Sequence, residues 1–185
     1  MSKKYKIIGI CGSLRKLSYN KGLLDYAIKN CPEEIEIEPV DISNIPLFNQ
    51  DLEGSLPDIV KELKEKIKLA DGVLFASPEY NYSVSGVLKN VIDWCSRPYG
   101  QGVWGNKPIA IMGASTGGFG TVRGQRDLRN IFLGFNSPLL SQPETYISFA
   151  IKKFDENGVL QDKDSQEAVK KLLNSFKLWL DKIVP

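Results

Sequence analysis

The residues best suited to chemistry in this sequence lie between Gly12 and Asn20, a segment rich in hydroxyl, amide and cationic side chains. Ser13 and Ser18 carry hydroxyl groups, Asn20 carries an amide, and Arg15 carries a guanidinium. Such a loop, where it opens a helix, attracts phosphate through free N–H groups and the positive end of the helix dipole, and the guanidinium fork matches phosphate oxygens. The spacing fits neither the P-loop nor the dinucleotide-binding glycine pattern. The residues alone also permit a plain capped turn, so both interpretations stay open.

A second candidate segment, residues 77–86, follows an apolar run and shows neither helical nor strand periodicity. Its candidate binding residues are Pro78, Glu79, Tyr80 and Asn81. Proline fixes φ, and Gly86 permits unusual backbone angles, so the path of the chain is constrained rather than floppy. A rigid segment of this kind can present backbone N–H groups to the edge of a flat ring, while its tyrosines cover the face. The alternative is an ordinary connection with exposed tyrosines.

The third candidate segment, Gly113 to Gly120, contains four glycines in eight residues. Its candidate binding residues are Ser115, Thr116, Gly117 and Gly118. Glycines let the backbone approach a ligand closely. The same letters match a hydrolase nucleophile elbow, but that enzyme class needs a base, normally histidine, which this sequence lacks. A short-chain dehydrogenase turn is disfavoured because it should follow the first strand and needs a Tyr-x-x-x-Lys pair, which is absent.

The composition excludes several classes of function. With no histidine, imidazole catalysis and histidine-ligated metals are excluded, and we predict no metal site and no catalytic side chain. The three cysteines form no Cys-x-x-Cys pair, which favours reduced thiols in a cytoplasmic protein. Net charge is +2, so nucleic acid is not an expected partner. We expect no targeting segment, and no apolar run approaches the roughly 20 residues of a membrane span, so no membrane partner is expected either.

The chain has 185 residues, which suits a single domain over 1–185. Predicted strands and helices, which would position these segments, alternate along it. Short apolar runs predict strands at 5–11, 34–40, 72–77, 108–114 and within 137–148. Helical periodicity predicts helices at about 20–30, 56–70, 86–96, 122–134 and 165–184. This alternation predicts an α/β three-layer sandwich with helices on both faces of a five-stranded parallel sheet. The flavodoxin-like strand order 2-1-3-4-5 places a ligand beyond the carboxyl ends of strands one and three, where the three segments would meet.

These motifs resemble those of the NADPH-dependent FMN reductase family, in particular its soluble quinone, chromate and azo-compound reductases. The first resembles the family's G-S-x-R-x-x-S-x-N, and residues 78–94 resemble P-E-Y-N-x-S-x-P-G-x-L-K-N-x-I-D-W. The third resembles the family's turn before an arginine-bearing helix, and the likeness runs from about Lys6 to Gly158. Ser85 departs from the motif, because the family commonly has proline there. We expect Ser85 to cap the following helix in a somewhat looser loop.

The resemblance implies an FMN-dependent oxidoreductase that passes hydride from NADPH or NADH through the flavin to quinone-like oxidants, chromate, azo compounds or free flavin. It assigns the FMN phosphate to Ser13, Arg15, Ser18 and Asn20, the ring to residues 78–81, and the pyrimidine side to residues 115–118. It also implies a homodimer or homotetramer, with residues 94–104 and the arginine-bearing helix at the subunit contact. Three alternatives stay open: a flavodoxin-type electron carrier, a reductase that supplies reduced FMN to a partner monooxygenase, and a non-catalytic nucleotide-binding or interaction protein on the same fold.

Overall fold

The computed structural model describes residues 3–184 and contains a five-stranded parallel sheet. The strands of the chain are β1 (Tyr5–Cys11), β2 (Ile35–Val40), β3 (Gly72–Ala76), β4 (Glu79–Tyr80), β5 (Ser83–Val84), β6 (Ile109–Ala114) and β7 (Thr145–Ile147). The main sheet has the order β2-β1-β3-β6-β7, and every pairing in it is parallel. Since β6 and β7 are its fourth and fifth strands, the predicted order 2-1-3-4-5 is confirmed.

Within the described residues, five α-helices cover the two faces of the sheet, as predicted for a three-layer sandwich. They are α1 (Tyr19–Lys29), α2 (Asp58–Leu69), α3 (Gly86–Cys95), α4 (Val122–Gly134) and α5 (Lys163–Ile183), with short 3-10 turns at Gln50–Leu52 and Ala150–Lys152. One buried cluster joins α1 and α5 to the sheet, and the other joins α2, α3 and α4. Within residues 3–184, no helix combines the length and the apolar character that crossing a membrane requires.

The position of β3 between two buried clusters explains why its sequence is apolar at every position. Val73 and Phe75 belong to the cluster beneath α2, α3 and α4, whereas Leu74 and Ala76 belong to the cluster beneath α1 and α5. Successive side chains of a strand point to opposite faces, so a strand covered on both faces must be apolar throughout. β3 therefore lies at the centre of the sheet, and its carboxyl end leads directly into Ser77 and Pro78.

The segment 77–86 differs from the prediction, because it contains a small antiparallel hairpin. Glu79 pairs with Val84, and Tyr80 pairs with Ser83. The two turn residues, Asn81 and Tyr82, have φ of 50° and 69°. Left-handed angles at both central positions are typical of the tight turn that matches strand twist, and asparagine tolerates them. Strands of two residues are too short to show an alternating pattern, so periodicity could not reveal them.

Side-chain caps fix the residues at which α3 and α5 begin. The Ser85 hydroxyl accepts a hydrogen bond from the Leu88 N–H at 3.4 Å and caps α3, as predicted. Asp162 caps α5, accepting from the Ser165 N–H at 2.9 Å and the Ser165 hydroxyl at 2.5 Å. These bonds to Ser165 lower the pKa of the Asp162 carboxyl. Because this cap lies at Asp162, α5 begins two residues earlier than the predicted start at 165.

Replacing Asp162 with alanine is expected to lower the free energy of unfolding by about 1 kcal/mol at neutral pH, as is usual for a lost N-cap. The cap is a carboxylate whose pKa is lower in the folded chain, so its contribution is present above the unfolded pKa and is lost as pH falls through the folded pKa. Urea unfolding at a series of pH values tests this. The difference between wild type and variant should shrink below about pH 4, and a difference independent of pH would contradict the assignment.

Candidate functional site

Three loops meet at the carboxyl edge of the sheet, where the fold predicts a ligand. The loop after β1 reaches the hairpin, since the Ser13 and Tyr80 hydroxyl oxygens lie 3.4 Å apart. It also reaches the end of β6, because the Asn20 amide pairs with the backbone of Ala114. Ser77, which begins the loop after β3, contacts the end of β6, since its N–H donates to the Met112 carbonyl at 2.9 Å. The three sequence segments therefore lie together at this edge of the sheet.

The loop after β1 and the start of α1, residues 12–20, carry groups that suit a phosphate, and we call this segment the phosphate cup. Ser18 is buried and caps α1, accepting from the Lys21 N–H at 3.3 Å. The Ser13 hydroxyl accepts from the Arg15 N–H at 3.4 Å, which curls the loop. The guanidinium of Arg15 lies 4.8 Å from the centroid of the Tyr19 ring. Within the described residues Arg15 forms no ion pair with a carboxylate, so its charge is available to an anion.

Asn20 is buried and holds the start of α1 against the sheet. Its amide N–H donates to the Ala114 carbonyl, and its amide oxygen accepts from the Ala114 N–H, both at 2.9 Å. An asparagine amide has two N–H donors, so this pairing leaves one for a ligand. The pairing connects the phosphate cup to the start of the third loop. The sequence gives no sign of it, because the two residues are 94 positions apart.

Glu79 faces the start of α4 rather than open solvent. Its carboxylate accepts from the N–H groups of Arg123 and Gly124 at 2.9 and 3.0 Å, and from the Arg123 guanidinium at 3.2 Å. The side chain is only 9% exposed. A carboxylate at a helix N-terminus satisfies unpaired N–H groups and complements the dipole. Glu79 therefore fixes the hairpin to α4, and its carboxylate is occupied by these bonds.

Arg123, which is not among the residues predicted for the site, joins the hairpin to the third loop. The Arg123 guanidinium lies between two exposed aromatic rings, 4.1 Å from the centroid of Tyr82 and 4.6 Å from that of Phe119. Cations stack on aromatic faces with a stabilisation of roughly 0.5–1 kcal/mol at exposed sites. With Tyr80, which is half-exposed, these rings form an apolar rim beside the cup. Phe119 lies four residues before Arg123, but Tyr82 lies 41 residues before it, so no local motif could signal the complete stack.

Backbone hydrogen bonds hold one side of the third loop against the end of β7 and the residues after it, and the other side is exposed. The Ser115 N–H donates to Ile147, and the Ser115 carbonyl accepts from Ala150, at 2.9 and 3.0 Å. The Gly117 carbonyl accepts from the Phe149 N–H at 3.2 Å, and the Gly117 N–H donates to the Ser115 hydroxyl at 3.2 Å. Thr116, Gly117 and Gly118 are exposed. The loop is thus both rigid and accessible, as a backbone that approaches a ligand must be.

Gly113 is required where β6 leaves the sheet, and Gly113→Ala is expected to destabilise the protein by about 1–3 kcal/mol or more. A Cβ there would lie 2.3 Å from the Ser77 carbonyl oxygen and 2.2 Å from the Thr121 hydroxyl oxygen. Urea unfolding measures the effect. Gly54→Ala is the matched control, since a Cβ there meets nothing within 4 Å. Equal stability of the two variants would contradict the packing argument.

The set of donors in the loop after β1 suits FMN. It consists of hydroxyl groups, a guanidinium and peptide N–H groups, with no carboxylate between Gly12 and Asn20. A cavity of about 460 Å³ adjoins it on the side of β2. Ser13, Arg15 and Lys16 line this cavity, and so do the carboxylates of Asp25 and Asp41. Cys11 lies in the same wall, and burial raises the pKa of its thiol. A raised pKa favours the protonated thiol at neutral pH, which makes Cys11 a poor nucleophile.

Comparison with known proteins gives the same picture. A model of the NADPH-dependent FMN reductase family matches residues 5–152. An NAD(P)H-dependent FMN reductase of Pseudomonas aeruginosa is 46% identical over 184 residues, covering 99% of each chain. A 2-hydroxy-1,4-benzoquinone reductase of a Burkholderia species is 39% identical over 175 residues, covering 95% of this chain and 96% of that protein.

A solved structure agrees as well. FerB of Paracoccus denitrificans, a flavoenzyme NAD(P)H:(acceptor) oxidoreductase, is 34% identical and superimposes with a TM-score of 0.89, covering 97% of this chain and 98% of FerB. The match extends from the phosphate cup through the hairpin and the third loop, in the order that the motifs require. On these grounds the chain belongs to the NADPH-dependent FMN reductase family.

Proposed function

We propose that this protein is an NAD(P)H-dependent oxidoreductase that binds FMN at the three loops and reduces quinone-like acceptors. The observation that carries the proposal is the phosphate cup. The hydroxyl groups of Ser13 and Ser18 and the guanidinium of Arg15, which has no carboxylate partner in the described chain, stand next to a hairpin that can support a ring. Relatives of 35–46% identity bear the names of FMN and quinone reductases, which supports the same activity.

Each loop would hold one part of the cofactor. Ser13, Arg15 and Ser18 would bind the phosphate, together with the remaining N–H of Asn20. The backbone of residues 78–81 would support the ring, and the exposed front of residues 115–118 would meet its pyrimidine side. When bound, FMN supplies the redox chemistry, accepting a hydride from NAD(P)H and passing two electrons to the acceptor. Backbone N–H groups near the pyrimidine side would stabilise the negative charge that accompanies reduction.

The residues around the site agree with a reaction that needs no acid or base from the protein. The sequence has no histidine, and the pKa values of Cys11 and Cys95 are raised by burial, that of Cys95 to about 12. Neither thiol is therefore a nucleophile at neutral pH. The chain's own contribution is to bind, orient and cover the reactants. Tyr80, Tyr82 and Phe119 give the rim an apolar character that suits flat acceptors such as quinones.

The acceptors beyond quinones, the assembly and the cellular compartment belong to the same proposal. Chromate, azo compounds and free flavin remain further candidate acceptors. We expect a homodimer or homotetramer, supported by Leu47 and Tyr99, which are 84% and 92% exposed. Trp94 and Trp104, placed by the resemblance at the subunit contact, are instead buried within the chain. Three free thiols support a reducing, cytoplasmic location.

Steady-state oxidation of NADPH with benzoquinone as acceptor tests the activity. The FMN-loaded protein should consume NADPH and form hydroquinone in equal amounts. No turnover above a protein-free control would favour the electron carrier. Gel filtration of the loaded protein tests the second alternative, because a resident cofactor stays with the protein, whereas a reductase that supplies a monooxygenase loses it.

A further inference from the structure

Ser85 is a buried serine that lies between the phosphate cup and the ring-supporting hairpin. Its hydroxyl donates to the Gly12 carbonyl at 2.6 Å and accepts from the Leu88 N–H at 3.4 Å. A serine hydroxyl has one hydrogen to donate and lone pairs to accept, so both bonds form together. The hydroxyl thus connects the residue that opens the cup to the first turn of α3. Only 2% of Ser85 is exposed.

Gly12 is enclosed by both ends of the segment that carries the hairpin. A Cβ at Gly12 would lie 3.0 Å from Cδ of Pro78 and 3.2 Å from the Ser85 hydroxyl oxygen. Its N–H donates to the Ala76 carbonyl at 2.9 Å. The start of the phosphate cup is therefore held at the carboxyl end of β3, at Pro78 and at the cap of α3. Of these three contacts of Gly12, the contact with Ser85 is the one made by a side-chain hydrogen bond.

We propose that Ser85 is a positioning residue for FMN, which sets the distance between the phosphate cup and the ring-supporting hairpin through its hydrogen bond to Gly12. The proposal rests on the proposed FMN site. A ligand that is recognised at two ends binds best when both parts of its site are held in place beforehand. Ser85 has φ of −62°, the angle that a proline ring imposes. Its hydroxyl adds a connection to Gly12 that a proline ring does not provide.

Titration of the apoprotein with FMN, followed by flavin fluorescence, tests this role. Ser85→Ala should weaken FMN binding by about 2- to 12-fold, the usual range for one hydrogen bond. Ser85→Thr keeps the hydroxyl and should restore binding. The matched control is Ser137→Ala, because the Ser137 hydroxyl is also buried and donates to a backbone carbonyl, that of Trp104, at 2.8 Å. Ser137 follows α4, and the carbonyl of the next residue, Pro138, accepts from the Ile109 N–H at the amino end of β6, whereas the three loops lie at the carboxyl edge of the sheet.

The thermal stability of each apoprotein separates positioning from general stability. Both alanine variants should melt at lower temperature, but only Ser85→Ala should lose FMN affinity. Wild-type affinity in Ser85→Ala, equal loss in Ser137→Ala, or no recovery in Ser85→Thr would each overturn the proposal. Should Ser85→Ala fail to fold, Ser85→Cys replaces it with the same expectation, since a thiol is a weak donor. If the wild type itself does not bind FMN, the proposed site fails instead, so the two failures are distinguishable.

Discussion

Replacing Arg15 with alanine is expected to weaken FMN binding by about 10- to 150-fold, because a charge-assisted hydrogen bond to phosphate contributes roughly 1.5–3 kcal/mol. The guanidinium rests against the Tyr19 ring, and it forms no ion pair with a carboxylate within the described chain. Fluorescence titration of the apoprotein with FMN measures the loss. Affinity equal to that of the wild type would contradict the phosphate cup.

Riboflavin, which lacks the phosphate, separates a phosphate contact from a general effect on the site. Arg15→Ala should bind riboflavin as the wild type does, so only FMN discriminates between them. Arg126→Ala is the control for removing a cation, because within residues 3–184 that exposed side chain pairs only with the adjacent Asp127, at 3.4 Å. Equal loss of FMN and riboflavin affinity in Arg15→Ala would show that the variant disturbs the loop rather than the phosphate contact.

The second large effect is expected for Glu79→Ala, which should lower the free energy of unfolding by about 2–4 kcal/mol. The carboxylate is nearly buried, and it satisfies two N–H groups at the start of α4 as well as the guanidinium of Arg123. Its removal leaves those N–H groups without their partner and frees the hairpin from the helix. FMN affinity should fall together with stability, because the ring-supporting hairpin loses its attachment.

Urea unfolding with and without FMN measures both effects of Glu79→Ala. The control is Glu65→Ala, which removes an exposed ion pair with Lys68 at 3.8 Å. Exposed pairs contribute little, so this control should change stability by less than about 1 kcal/mol. If Glu79→Ala were as stable as Glu65→Ala, the carboxylate would not be the cap of α4 that the geometry indicates.

Features that depend on local sequence could be predicted, and the sheet shows why. The apolar residues of β3 must fill both faces of a covered sheet, so their run indicates a central strand, and the helical stripe of α5 faces the sheet as expected. Ser85 likewise caps α3 where the start of the helix demands a cap. In each case the physical cause acts within a few residues of the chain.

The site was harder to predict because its contacts are distant in sequence. Nothing near Asn20 indicates that its amide pairs with Ala114, and nothing near Glu79 indicates that its carboxylate caps α4. Both residue types suit a ligand as well as a backbone partner, and only the tertiary structure decides between them. The hairpin turn at Asn81 and Tyr82 was missed for another reason, since its strands have only two residues each.

The most direct test of the central claim is a crystal structure grown with excess FMN. The phosphate should lie within hydrogen-bond distance of the Ser13 hydroxyl and the Arg15 guanidinium, with the ring beside Pro78 and Tyr80. A structure that places the phosphate at another edge of the sheet, or shows these side chains turned away from a bound flavin, would contradict the account.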